Sequence, residues 1–119
     1  MHDTQAKLVI REAKAADARA IVALSQKVYG KTDAFSGAQI RGQINNFPEG
    51  QFVAEYEGKI VGHCATLIID SDLAFARHSW DEITGGGFAT RHDPDGDVLY
   101  GMEVCVDPEY RRLRIGQRF

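Results

Sequence analysis

The sequence predicts an α/β domain in which a mixed, mainly antiparallel sheet carries helices on its faces. Three observations predict it. Apolar residues recur at helical spacing from residue 15 to 29 and again after Ser36. The period then switches to two, in the runs 51–56, 59–70 and 98–106. Glu57-Gly58 separates the first two of these runs, as the turn of a hairpin would. The order is therefore one strand, two helices and three strands, in a chain of 119 residues that has the size of one domain.

The first strand is "KLVIR", residues 7–11. In the first helix Ala18, Ile21, Val22, Leu24 and Val28 mark the buried stripe, and Gly30 is the stop. Its start carries no capping residue, because Lys14 stands where Ser, Thr or Asp would be expected. Ser36 caps the second helix, which runs through Ile40 and Ile44 to "FPEG" at 47–50. The strands "QFVAEY", "KIVGHCATLIID" and "VLYGMEVCV" follow, the last bounded by Gly96 and Pro108. Residues 71–97 contain Gly85-Gly86-Gly87 and "HDPDGD", with Ser79 placed to cap one turn, "WDEIT". A connection of that length is expected to be a mobile flap or a partner-docking surface. No internal repeat or low-complexity linker divides the chain.

Composition excludes several classes. Hydrophobic residues are 44% and charged residues 26%, too apolar for a disordered chain. A net charge of −3 argues against a surface built to dock on nucleic acid or membrane. The longest uncharged run, residues 60–69, is half a membrane span, and the N-terminus has no apolar signal core. Cys64 and Cys105 lie inside strands among apolar neighbours, as small buried thiols of a cytoplasmic protein would. No metal site is expected. His2, His63, His78 and His92 lack ligand spacing, and "HDPDGD" has Val104 where a calcium loop beginning at Asp93 needs its bidentate Glu. That stretch reads as a turn, with Asp95-Gly96 favouring positive φ.

Two places carry chemistry. Arg111, Arg112, Arg114 and Arg118 crowd the segment between the last strand and a helix start at Gly116. Free N–H groups at such a start, glycine and guanidinium groups together suit a phosphate, although a solvated basic patch has the same composition. No nucleotide P-loop occurs. The second place is Glu103, a carboxylate in the middle of an apolar strand. Strict alternation puts Leu99, Gly101, Glu103 and Cys105 on one face, and Tyr100, Met102, Val104 and Val106 on the other. Desolvation there would raise a carboxyl toward the range of a general base. The alternative is that Glu103 pairs with a surface Arg or Lys.

The stretch "MEVCVDPEYRRLRIGQRF" resembles motif A of the GNAT N-acetyltransferase superfamily. There a strand runs into x-D-P-x-[YF]-[QR]-x-x-G-x-[GA] and then a helix. Arg111 matches the Gln/Arg position and Gly116 the final Gly/Ala, while Arg114 stands where the central Gly usually is. "WDEITGGGFATRHDPDGDVLYGMEV" with "YRRLRIGQR" is similar to the N-terminal acetyltransferase domain fused to a carbon–nitrogen (nitrilase-like) hydrolase, a group that also has an arginine there. The resemblance implies a GNAT fold and acetyl transfer from acetyl-CoA, by direct attack of a small-molecule or peptide amine. A non-catalytic CoA-binding module that regulates a fused hydrolase domain is the alternative.

The resemblance implies that the pyrophosphate rests on the backbone of Arg112, Leu113, Arg114, Ile115 and Gly116. Arg111, Arg112 and Arg114 would add charge, and the pantetheine arm would bond along Val104, Cys105 and Val106. Glu103 is then the candidate base, and Tyr100 the candidate general acid or substrate contact. Cys105 as nucleophile fits this family poorly. The resemblance also implies further helix and strands beyond Phe119, which would make residues 1–119 the first part of a single domain. A homodimer stays open among its partners.

Overall fold

The computed structural model describes residues 7–75 and 79–119. Strands β1 (Leu8–Glu12), β2 (Gln51–Tyr56), β3 (Lys59–Ile69) and β4 (Val98–Val106) pair in that order, each antiparallel to the next. The helices are α1 (Ala18–Asp33), α2 (Gly37–Asn46), α3 (Ser71–Phe75), α4 (Trp80–Thr84) and α5 (Ile115–Arg118). Short 3-10 helices occupy Ala15–Asp17, Pro48–Gly50 and Pro108–Leu113. His2 and His78 lie outside the described residues.

Each sheet face is buried by a different part of the chain. Val53 meets Ala18, Ile21, Phe35 and Ile40, so α1 and α2 cover the first face. On the second, Ala54 and Val61 pack on Ile115, with Tyr110, Leu113 and Phe119 around them. Gly62 makes that second contact possible, since a Cβ there would stand 2.9 Å from Ile115 and 3.1 Å from Ala54.

Local chemistry fixes the ends. The 3-10 turn that leads into α1 begins without a side-chain cap at Lys14, but the Lys14 N–H donates to Asp17 at 2.8 Å. Arg11 donates to both oxygens of Asp17, at 2.8 and 2.9 Å, and to Glu55 at 3.2 Å, tying β1 to β2 and to the helix start. Gly30, with φ +82°, interrupts α1 where the stop is expected, and helical residues resume beyond it to Asp33. Ser36 accepts from the Gln39 N–H while the Gln39 side chain accepts from the Ser36 N–H, a reciprocal cap. Glu57 and Gly58 both have positive φ, the backbone of a type I′ hairpin turn.

The connection to β4 differs from expectation. Residues 79–97 are docked rather than a free flap. On one face of α2, Gln39, Gln43 and Asn46 donate to the successive carbonyls of Gly86, Gly87 and Phe88 at 2.8, 2.8 and 3.0 Å. Ile83, Thr84 and Ala89 are fully buried. The imidazole of His92 stacks on Phe47 at 3.9 Å and accepts from the Ile68 N–H. Gly96 also plays another part than the positive-φ turn expected of it. A Cβ there would lie 2.5 Å from the Ile69 carbonyl, so the glycine serves close approach.

Replacing Gln43 by Ala leaves the buried Gly87 carbonyl without its donor. Urea unfolding of Gln43→Ala is expected to show a loss of about 2 kcal/mol. A loss below about 0.5 kcal/mol would mean that the amide stripe does not hold the segment.

Candidate functional site

The site begins with a register shift. Ala65 pairs with Glu103 and the next residue, Thr66, with Gly101, so Met102 is an extra residue in β4. This is a β-bulge, and it resets the alternation. Leu67 pairs with Tyr100, and Leu67 and Ala65 share a face of β3. Tyr100, Met102, Glu103 and Cys105 therefore all belong to the face that α1 covers. This corrects the placement of Tyr100 and Met102 on the face opposite Glu103, which strict alternation predicts. Leu99 and Gly101, expected beside Glu103, lie instead on the second face with Val104, and Leu99 and Val104 are 65% and 51% exposed.

Glu103 is half-buried and accepts a hydrogen bond of 2.7 Å from the Tyr29 hydroxyl, near the end of α1. Burial and then the Glu103 carboxylate push the Tyr29 hydroxyl well above its ordinary pKa, so it remains the donor. Among the described residues no Lys or Arg forms an ion pair with Glu103. The indole of Trp80, the first residue of α4, donates to the carbonyl of the bulge residue Met102 at 3.1 Å. The Phe35 ring lies 6.0 Å from that of Trp80 and 6.3 Å, in a T-shaped contact, from that of His63.

Cys105 faces His63 across the β3–β4 ladder. Burial, then the charges of Glu103 and Asp107, push its thiol up to about 12, so it is a protonated core group at neutral pH. Cys64 is likewise free and buried. His63 is 2% exposed and its Nε2 has no hydrogen-bond partner. Burial lowers its pKa to about 4, which keeps it neutral.

Past β4, the buried Asp107 organises the loop. It accepts from the Glu109 N–H at 3.0 Å and from Lys27 of α1 at 3.0 Å, and Lys27 also pairs with Glu109. Arg111 and Arg114 are exposed, whereas the Arg112 side chain lies outside what is described. Arg114 adopts φ +52°, ψ 45°, the left-handed region that favours glycine and that costs another residue about 1 kcal/mol. That is the physical reason a Gly is common at this motif position.

The Arg114 N–H donates to the Arg111 carbonyl, and the Gln117 N–H to the Arg114 carbonyl. The N–H groups of Ile115 and Gly116 thus stand at the helix start, where the helix supplies no partner. The side chains of Leu113 and Ile115 belong to the core, so these residues can offer a ligand only backbone. Gly116 faces open space, since a Cβ there meets nothing within 4 Å. Val104, Cys105 and Val106 lie on an edge strand, because β4 has β3 as its one strand neighbour among the described residues.

A cleft of about 390 Å³ opens elsewhere, between α1 and the β2–β3 turn, lined by Leu24, Lys27, Lys59, Ile60 and Asp107 among others. It shares Asp107 with the loop, but Lys27 and Lys59 both turn toward that carboxylate, at 3.0 and 3.9 Å. Among the described residues no group of His, Cys, Asp or Glu converges as a metal site, and no helix is long and apolar enough to cross a membrane.

The profile of the acetyltransferase (GNAT) family matches residues 18–119. The chain belongs to the GNAT family. It is 41% identical over 112 residues to the probable hydrolase YhcX of Bacillus subtilis (strain 168), a match covering 94% of this chain and 22% of that protein. It is 35% identical over 83 residues to an uncharacterized N-acetyltransferase of the same organism, YkwB, covering 70% of this chain and 37% of that protein.

Among solved structures, the GphF GNAT-like decarboxylase in complex with isobutyryl-CoA superposes with a TM-score of 0.79 at 29% identity. It covers 92% of this chain and 53% of that one. The loading GNATL domain of CurA from Lyngbya majuscula gives 0.79 at 25% identity, over 94% of this chain and 54% of that one. The GNAT fold implied by the motif is thus borne out. The chain spans between about a fifth and just over half of these proteins.

The sequence reading missed Tyr29, Trp80 and the bulge. One signal was available: an isolated glycine inside a strand, Gly101, often marks a bulge.

His63 gives a pH test. Between pH about 6.5 and about 4 the unfolded chain binds a proton that the folded one excludes, so stability rises with pH across that window. Urea midpoints are expected to fall from pH 7 to pH 4.5 in the parent protein, and less steeply in His63→Leu. Parallel pH dependence in both would show that His63 is not held neutral by the fold.

Proposed function

We propose that the chain is the N-terminal part of a GNAT domain that transfers an acetyl group from acetyl-CoA to an amine. The observation that carries this reading is Glu103, a carboxylate held by Tyr29 at the bulge of an edge strand in a chain of this family. The amine arrives as an ammonium ion. Glu103 takes one proton, the freed nitrogen attacks the thioester carbonyl, and the C–S bond breaks as the amide forms. As the amide forms the nitrogen sheds a second proton and the departing thiolate of CoA gains one. Tyr100, on the same face as Glu103, is the candidate relay, giving its hydroxyl proton to the thiolate and taking up the one from nitrogen.

The family supports an acyl-CoA donor, as does the isobutyryl-CoA held by one structural relative. In this reading the pantetheine arm lies along the backbone of Val104, Cys105 and Val106. The pyrophosphate meets the N–H groups of Ile115 and Gly116, with Arg111, Arg112 and Arg114 contributing charge. Free buried cysteines agree with a reducing, cytoplasmic setting.

A second reading has one observation in its favour: the 41% identical relative is named a hydrolase. In that reading this domain binds CoA and regulates a fused carbon–nitrogen hydrolase domain without transferring acetyl. Decarboxylation, the activity in the name of one structural relative, is disfavoured by Glu103, since a second carboxylate beside it would meet like charge.

Release of CoA thiol from acetyl-CoA, with and without amine, separates the readings. Amine-dependent release is expected, with Glu103→Gln lowering kcat roughly 10²- to 10⁴-fold and leaving CoA affinity unchanged. Binding of CoA with no amine-dependent release would support the regulatory reading instead.

A further inference from the structure

Tyr29 and Trp80 are exposed aromatic residues, at 39% and 37% exposure. Each has its one hydrogen-bond hydrogen engaged inside the protein. The Tyr29 hydroxyl donates to Glu103 at 2.7 Å, and the Trp80 indole donates to Met102, the residue next to Glu103, at 3.1 Å. What the two rings offer a ligand is therefore their apolar, electron-rich surface. Trp80 is packed on one side: Phe35 lies 6.0 Å away, and Gly87 sits so close that a Cβ there would be 2.9 Å from the indole. One Glu103 oxygen accepts from Tyr29, and among the described residues no Lys or Arg neutralises the carboxylate.

We infer that this is the mouth for the acceptor, and that the acceptor is a cationic amine carried on an apolar body the size of an aromatic ring. The inference rests on the acyl-transfer reading and gives its substrate a class. The ammonium group meets Glu103 and the π surfaces of the two rings, which attract a cation, while the apolar body packs on Tyr29 and Trp80. A ligand with a carboxylate in place of the ammonium places like charge against Glu103. A neutral hydroxyl in its place gains neither attraction.

Trp80 is the only tryptophan of the chain, so its emission reports on this spot alone. The probes are 2-phenylethylamine, 2-phenylethanol and 3-phenylpropionate, matched in shape and different in charge. Titration with the amine is expected to change Trp80 emission saturably, at an affinity about tenfold or more above that of the alcohol, with the acid weaker still. Glu103→Gln is expected to bring amine and alcohol together, whereas Tyr29→Phe keeps the ring and most of the preference.

Equal affinities for amine and alcohol, or no saturable response to the amine, would overturn the inference. A parallel assay of CoA release separates its failure from that of acyl transfer. Acetylation of ethanolamine as fast as of 2-phenylethylamine, with Trp80 silent, would leave acyl transfer standing and remove the inference. Saturable, charge-selective amine binding without CoA release would do the reverse.

Discussion

One extra residue in β4, Met102, decides which side chains can meet at the candidate site. A regular β4 would turn Tyr100 and Met102 away from Glu103 and Cys105. The bulge places all four on the side covered by α1, where the Tyr29 hydroxyl reaches Glu103. It also leaves a backbone carbonyl at Met102 that the Trp80 indole takes up, so the long connection after β3 is anchored at the same point. Strand, helix and connection thus converge on one irregularity, and each loses its reason for being there if the ladder is regular. Bulges bend a strand and re-aim its side chains, and that is the service rendered here.

The second organising feature is Asp107. It is buried, yet its oxygens are matched by the Glu109 N–H and by Lys27, so the carboxylate replaces lost solvation with bonds to two elements. Burial alone would raise its pKa, but these bonds hold it below its ordinary value. The result fixes the loop that follows β4 to the same stretch of α1 that carries Tyr29. The same helix therefore positions Glu103 through Tyr29 and the loop after β4 through Lys27.

Where side-chain chemistry acts locally, the sequence was legible. The β2–β3 turn at Glu57-Gly58, the Ser36 and Ser79 caps, and the bounds of β4 all follow from residues within four positions of one another. Motif A was legible for the same reason, since its residues are contiguous. Long-range pairings were not. The Gln39, Gln43 and Asn46 stripe looks like ordinary helix surface until residues 86–88 are laid against it, and so a docked segment reads as a flap. Tyr29 and Glu103 lie 74 positions apart, and no pattern in a single sequence links them. The bulge was signalled only by Gly101, and a period-two reading overrode it.

The central claim is the register of β3 against β4. Cross-strand nuclear Overhauser contacts in isotope-labelled protein test it without any substitution. The account predicts contacts between Leu67 and Tyr100 and between Ala65 and Glu103, with the Tyr29 ring close to the Glu103 side chain. Contacts pairing Thr66 with Met102 and Leu67 with Gly101 would mean a regular ladder, with Tyr100 turned to the other face, and would contradict the account.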